Sequence, residues 1–259
     1  MKSQSQRSFL TWILAPLFLL AVARPCDAAV VTYIDLLDTT QLIATNNASV
    51  TNTVVAPNAI GGFRTMMLTT SGGSSFFGPA IFGVDDTVQD ILLSTPVAAT
   101  SFYEIKWGGA GGTAGLGGVD FTGGITNFTL DNSVVNFTLG YTDQPNNFTW
   151  TFTDTASNVA SYTSSFPQLI PPNPAIDYAI SLASFSGAGS VDWTSINFIS
   201  LSGGGPISLD LTLNAPVSLA AGIPEPGTWA AAGLLLLTAV YVRWRRSRSV
   251  VSEDAPAAA

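Results

Sequence analysis

Strict alternation of apolar and polar residues is the sequence feature that most restricts how this chain can fold. Phe148, Trp150 and Phe152 alternate with threonines. Four further segments repeat the pattern: 103–107, 135–141, 176–182 and 207–213. A two-residue period buries one face of a strand and leaves the other in water, as in antiparallel sheets. The sequence therefore predicts an all-β fold.

Clusters of glycine, proline and asparagine separate these segments. They lie at 72–73, 143–147, 171–174, 187–189 and 203–206. About ten short strands at this spacing indicate an antiparallel two-sheet sandwich of jelly-roll type, with a closed barrel as the alternative. Residues 29–222 are long enough for one such domain with its own core.

The predicted domain is acidic and lacks several side chains that catalysis often uses. It holds two bases, Arg64 and Lys106, and thirteen acids, so its formal charge is −11. Such a surface repels phosphate backbones, which argues against nucleic-acid binding. The chain has no histidine and one cysteine, Cys26, so imidazole chemistry is excluded and no cofactor is expected.

The first 28 residues have the layout of a secretory signal peptide. Lys2 and Arg7 precede an apolar stretch over 9–23, and Ala28 ends a segment suited to signal peptidase cleavage. About 15 apolar residues are short for a membrane span, which favours removal over an uncleaved anchor. We therefore expect export across the inner membrane, with loss of Cys26.

The C-terminal region combines three features in a fixed order. Pro224, Glu225 and Pro226 form an extended motif, because two prolines in three residues cannot continue a helix or a sheet ladder. The apolar residues 229–242 predict a short transmembrane helix of about 22 Å. A basic cluster then holds that end in the cytoplasm. Its arginines are Arg243, Arg245, Arg246 and Arg248. Residues 249–259 are expected to be a disordered cytoplasmic tail.

This order of motif, helix and arginines resembles the PEP-CTERM sorting signal, which membrane enzymes called exosortases recognise. The resemblance covers residues 223–248. It implies processing near the Pro224–Pro226 motif, followed by release or attachment at the cell surface. It also implies an exosortase and exopolysaccharide as partners, in addition to the signal peptidase and the membrane that the two terminal segments indicate. The tail after the arginines is longer than the family's usual ending, and a simple membrane anchor is the alternative.

Three functions stay open for the central domain. The first is a non-enzymatic surface or extracellular-matrix protein associated with exopolysaccharide or biofilm, as the resemblance implies. The second is a carbohydrate-binding or adhesive module with Trp107 or Trp193 as an exposed sugar platform. The third is a secreted hydrolase that uses a pair of carboxylates. Its candidate acids are Asp35, Asp38 and Glu104.

Three local motifs could suggest ligand sites, but a structural role is expected for each. Arg64 follows two glycines and is expected to pair with an aspartate and so to fix a strand edge, rather than to bind a ligand. The glycine-rich segment 108–118 resembles a dinucleotide fingerprint, but no helix start follows it, so a flexible surface loop is expected. Asp85, Asp86 and Asp90 could offer oxygens to Ca²⁺ but lack EF-hand spacing, so a solvated loop and no metal are predicted.

Overall fold

The computed structural model describes residues 31–72, 78–112, 114–122, 128–205 and 208–221. The signal peptide, sorting motif, membrane helix, arginine cluster and tail predicted above lie outside these residues. The described residues form thirteen strands: β1 Val31–Asp35, β2 Gln41–Thr45, β3 Ser49–Val55, β4 Phe63–Gly72, β5 Ala80–Asp85, β6 Asp90–Ser94, β7 Ala99–Gly108, β8 Ser133–Thr142, β9 Asn146–Asp154, β10 Val159–Phe166, β11 Ile176–Ser181, β12 Ile196–Gly205 and β13 Asp210–Ala221. Within this part of the chain, no helix is long and apolar enough to cross a membrane.

The strands form two antiparallel sheets. One sheet has the order β10-β9-β12-β7-β4-β3. The other has the order β11-β8-β13-β6-β5-β2, and β1 pairs with the second half of β13. The all-β prediction is confirmed, and two separate sheets agree with a sandwich rather than with a closed barrel. The jelly-roll type stays a prediction.

The core lies between the sheets and is built from the residues that the alternation singled out. Phe148, Trp150 and Phe152 of β9 are buried, while the threonines between them face outward. Trp107 of β7 stacks on Trp150 with ring centroids 5.7 Å apart. Burying a large apolar side chain contributes about 1.5–3 kcal/mol. Burial of these rings of the six-stranded sheet therefore contributes to holding the two sheets together.

The glycines at 203–205 do not form the predicted turn, because β12 continues to Gly205. Gly203 lies opposite the buried Tyr103 of β7. A Cβ atom at Gly203 would be 2.3 Å from the Tyr103 hydroxyl oxygen. The absent side chain leaves room for this hydroxyl, which donates to Oδ1 of Asn146 at 3.3 Å.

The described residues of the glycine-rich segment after β7 pack closely on the six-stranded sheet. A Cβ atom on Gly112 would be 2.1 Å from Oγ1 of Thr65 on the outer face of β4. The Leu116 amide donates to the Asn197 carbonyl at 2.6 Å, and Val119 bridges to Ile196. The lack of side chains lets this segment lie directly on the sheet.

The two ends of the described chain lie side by side. Val31 at the start of β1 is the partner of Ala220 near the end of β13. Ala221 in turn lies opposite Ser133 at the start of β8. The turn between β8 and β9 is at the other end of the sandwich, because β8 runs away from this point.

Candidate functional site

Arg64 is the centre of a buried polar cluster. Its Nη1 donates to Oδ2 of Asp35 at 2.9 Å, and its Nε donates to Oε1 of Gln41 at 3.0 Å. Its Nη2 donates to the Thr39 carbonyl. The same Asp35 oxygen accepts from Nε1 of Trp107 at 2.8 Å. The arrangement satisfies the guanidinium and the carboxylate inside the core, as buried charges require.

This cluster is structural rather than a ligand site. Asp35 and Gln41 belong to β1 and β2 of one sheet, while Arg64 and Trp107 belong to β4 and β7 of the other. The expected pairing of Arg64 with an aspartate is confirmed. The Arg64 side chain is 0% exposed and also holds Gln41 of β2, the last strand of the other sheet. Removing one partner would leave an uncompensated buried charge.

Neither tryptophan proposed as a sugar platform is exposed. Trp107 is 0% exposed and Trp193 is 6% exposed. Trp107 has the inward parity of Tyr103 and Ile105 on the same strand. Trp193 packs on Phe152 at 5.3 Å and donates its Nε1 proton to the Ala188 carbonyl at 3.0 Å. The expectation of exposed platforms at these positions is therefore wrong.

The three acids considered for catalysis point in different directions. Asp35 is inside the core and is used by the Arg64 cluster. Asp38 accepts from the Asn58 side chain in the connection after β3. Glu104 has outward parity on β7. Because Asp35 and Glu104 lie on opposite sides of the six-stranded sheet, the structure does not bring them together as a pair.

Asp85, Asp86 and Asp90 form the turn between β5 and β6. Oδ1 of Asp85 accepts from the hydroxyl and amide of Thr87 at 2.6 and 2.9 Å, and these bonds lower the pKa of Asp85. Burial and the Asp85 charge raise the pKa of Asp90. Among the described residues, no group of three potential metal ligands converges.

The outer face of the six-stranded sheet is a candidate binding surface. Its outward positions are mainly hydroxyls, and several bond in cross-strand pairs, such as Thr149 with Thr163 at 2.9 Å. Glu104 and Lys106 are the charged side chains that the described strands place on this face. Lys106 lies over the Phe198 ring, with Nζ 4.0 Å from the ring centroid, a favourable cation–π geometry.

Phe102 is the exposed aromatic residue that the described strands place on this face, with 43% of its surface accessible. On β12 its partner is Gly204, and on β4 its partner is Thr69. Gly204 has no side chain to cover the ring, and a Cβ atom there would be 3.8 Å from Cδ2 of Phe102. On its other side, Gly204 pairs with Asn147 of β9. We call Phe102, Thr69, Glu104, Asn147 and Ser202 the Phe102 surface.

This surface can hold a flat ligand by two kinds of contact. The phenyl ring offers an apolar plane, while the hydroxyl, amide and carboxylate groups around it offer hydrogen bonds. The sequence could have identified Phe102 as exposed, because it lies on the same side of the strand as Glu104 and Lys106, the polar positions of the alternating segment 103–107. Tyr33, 48% exposed on the other sheet, is the second exposed aromatic side chain among the described residues.

No family model and no curated protein matches this chain. Similar solved structures include the family 11 carbohydrate-binding module of the cellulase Lic26A-Cel5E of Clostridium thermocellum, at 10% identity and TM-score 0.36, over 76% of this chain and 96% of that one. An agarase, AgWH50C, matches at 9% identity and TM-score 0.39, over 61% of this chain and 22% of that one. An exo-β-agarase matches at 10% identity and TM-score 0.40, over 74% of this chain and 25% of that one. The chain thus spans about a quarter or less of each agarase, and similarities this weak assign it no function.

Proposed function

We propose that this chain is an exported, non-enzymatic surface or extracellular-matrix protein whose sandwich binds carbohydrate through the Phe102 surface. The observation that carries the proposal is the exposed Phe102 ring on a hydroxyl-lined sheet face. A sugar ring has an apolar C–H face that suits an aromatic plane and hydroxyls that suit polar side chains. A flat sheet face suits an extended saccharide chain better than a small molecule.

The charge of the molecule restricts the kind of saccharide. The Phe102 surface has Glu104 as its charged member, and the whole domain has a formal charge of −11. An anionic polysaccharide would be repelled, while a neutral one would not. We therefore propose neutral polysaccharide as the ligand class.

Delivery to the cell exterior is the second part of the proposal. The support is the signal-peptide layout up to Ala28 and the resemblance of residues 223–248 to the PEP-CTERM signal. Signal peptidase and an exosortase are the processing partners, and a jelly-roll sandwich is the domain they deliver. Intact-mass measurement of the exported protein tests this part, since a mass that continues through Arg248 would contradict it.

Phe102→Ala tests the binding site. Affinity electrophoresis of the exported protein in gels with neutral or anionic polysaccharides should show retardation by at least one neutral polymer. Loss of the ring should weaken that binding by about tenfold or more, as for exposed stacking residues. Tyr33→Ala is the matched control, because it removes an equally exposed ring from the other sheet and should leave binding unchanged.

Two results would reject the proposal. One is the absence of binding to every polysaccharide in the panel. The other is equal affinity of the wild type and Phe102→Ala, which would move the site elsewhere. Circular dichroism of each variant separates a lost contact from a lost fold.

A further inference from the structure

We propose that two copies of this chain associate by antiparallel pairing of β3 with β3. β3 is the last strand of the six-stranded sheet and pairs with β4 on one side. None of the strands that the structure describes pairs with its other side. An unpaired edge presents a row of backbone donors and acceptors to any strand that can approach it.

The hydrogen bonds beside β3 show which of its backbone groups face this open edge. The Thr70 amide donates to the Ala48 carbonyl at 3.0 Å, and the Ala56 amide donates to the Gly62 carbonyl at 2.9 Å. Even-numbered residues therefore bond to β4, since the pattern alternates along an antiparallel pair. The amides and carbonyls that face outward belong to Ser49, Thr51, Thr53 and Val55.

This row is complementary to itself about a two-fold axis at Asn52. In antiparallel pairing, Thr51 of one copy faces Thr53 of the other, and Ser49 faces Val55. Each of these four residues can then donate one hydrogen bond and accept one. The contact uses the same surface on both copies, so it closes as a dimer rather than growing into a fibre.

β3 itself has no charged side chain that would keep two copies apart, and Asp38 lies beyond its end, bonded to Asn58 in the connection after β3. Between Asp38 and Asp85 the sequence has one charged residue, Arg64, which is buried. β3 also lacks proline, lysine and the bulges that usually protect an edge. Of the other edge strands, β11 carries Asp177 and β10 is bridged at Ser161 by Ser186, whereas β2 is uncharged like β3.

A second copy fits this edge better than an unrelated partner. The domain has a formal charge of −11, so two copies repel over most of their surfaces. An edge without charge is where they can approach each other. The symmetric pairing of serine, threonine and valine also needs no complementary sequence from a different protein.

Two double variants test the pairing. Sedimentation velocity of the exported full chain should show a concentration-dependent dimer for the wild type. Ser49→Lys with Val55→Lys places lysine opposite lysine at both ends and should weaken the dimer by about tenfold or more. Ser49→Lys with Val55→Glu is the matched control, because it places lysine opposite glutamate and should keep the dimer. Both positions are exposed, with Val55 at 61%.

A backbone variant provides a second measurement. Thr51→Pro removes an amide that faces the open edge and leaves the bonds to β4 in place, whereas Thr51→Val keeps that amide. The dimer should be lost in the first variant and kept in the second, with circular dichroism confirming the fold.

Three results would overturn the proposal. The first is a wild-type chain that stays monomeric up to about 100 μM, a concentration well above the dissociation constants of stable interfaces. The second is equal dimer affinity in the two charge variants. The third is a dimer that persists in a folded Thr51→Pro variant. None of these results depends on carbohydrate binding.

Discussion

At the scale of single residues, Asp154 is a carboxylate held by hydrogen bonds from two separate segments. It ends β9, and its oxygens accept from the Asn158 amide at 2.8 Å, the Asn158 side chain at 2.8 Å and the Asp192 amide at 3.0 Å. These bonds, the Asp192 amide first, lower the pKa of Asp154. Asp192 in turn accepts from the amide and hydroxyl of Thr194. One carboxylate thus joins the β9–β10 turn to the segment before β12.

Asp154→Asn should lower the thermal midpoint at pH 7 by several degrees. Both carboxylate oxygens of Asp154 accept hydrogen bonds, whereas an asparagine amide has one oxygen that can accept. A lowered pKa means that the folded state binds its proton at lower pH than the unfolded chain, so the stabilisation is present above the unfolded value of about 3.9. It disappears as the pH falls through the folded pKa. Thermal melts from pH 7 to pH 3 should therefore show the variant and wild type converging.

Asp86→Asn is the control for this experiment, because it removes the same charge from an exposed turn position. It should melt like the wild type throughout the range. A constant difference between Asp154→Asn and wild type down to pH 3 would show that the carboxylate charge is not the source of the stability.

At the scale of elements, the turn between β3 and β4 depends on two glycines with different surroundings. Gly61 and Gly62 have φ angles of 76° and 75°, a region that costs other residues about 1–2 kcal/mol. A Cβ atom on Gly61 would also be 2.4 Å from the Gly108 carbonyl oxygen at the end of β7. A Cβ atom on Gly62 would meet nothing within 4 Å.

Gly61→Ala should therefore destabilise more than Gly62→Ala. We expect a loss of about 1–2 kcal/mol in the free energy of unfolding for Gly62→Ala from the backbone alone. The contact with Gly108 should add about 1–3 kcal/mol for Gly61→Ala. Urea denaturation of both variants measures the difference. Equal losses would mean that the turn moves away from β7 at little cost.

The local sequence patterns predicted the strands and their buried faces better than they predicted the contacts between different strands and sheets. The alternation identified the inward residues of β7 and β9, and the same parity placed Phe102 on the outer face. It could not show that Arg64 meets Asp35, because that contact joins different sheets. The packing of the glycine-rich segment was missed for the same reason, since it depends on Thr65 and Asn197 of other strands.

At the scale of the whole molecule, the chain ends and the Phe102 surface lie toward opposite ends of the sandwich. The β1–β13 pairing holds Val31 beside Ala220, while Phe102 is three residues from the start of β7 at the end that contains the β8–β9 turn. Phe102 is assigned to that end because its partner on β12, Gly204, pairs in turn with Asn147 near the start of β9. A domain attached through residue 222 and beyond would therefore present the Phe102 surface away from its attachment point.

A cross-link between the ends tests this arrangement. Tyr33 and Ser218 are partners on β1 and β13, so Tyr33→Cys with Ser218→Cys should oxidise to a disulfide. Cys26 precedes the predicted cleavage site, so the processed chain has no other thiol. Closing so long a loop should stabilise by up to about 5 kcal/mol in the chain-entropy model. The oxidised variant should melt roughly 10 °C above its reduced form, and each single variant should not respond to oxidant. Failure to form the disulfide would show that β1 and β13 are not adjacent at this position. It would also remove the basis for placing the Phe102 surface away from the point of attachment.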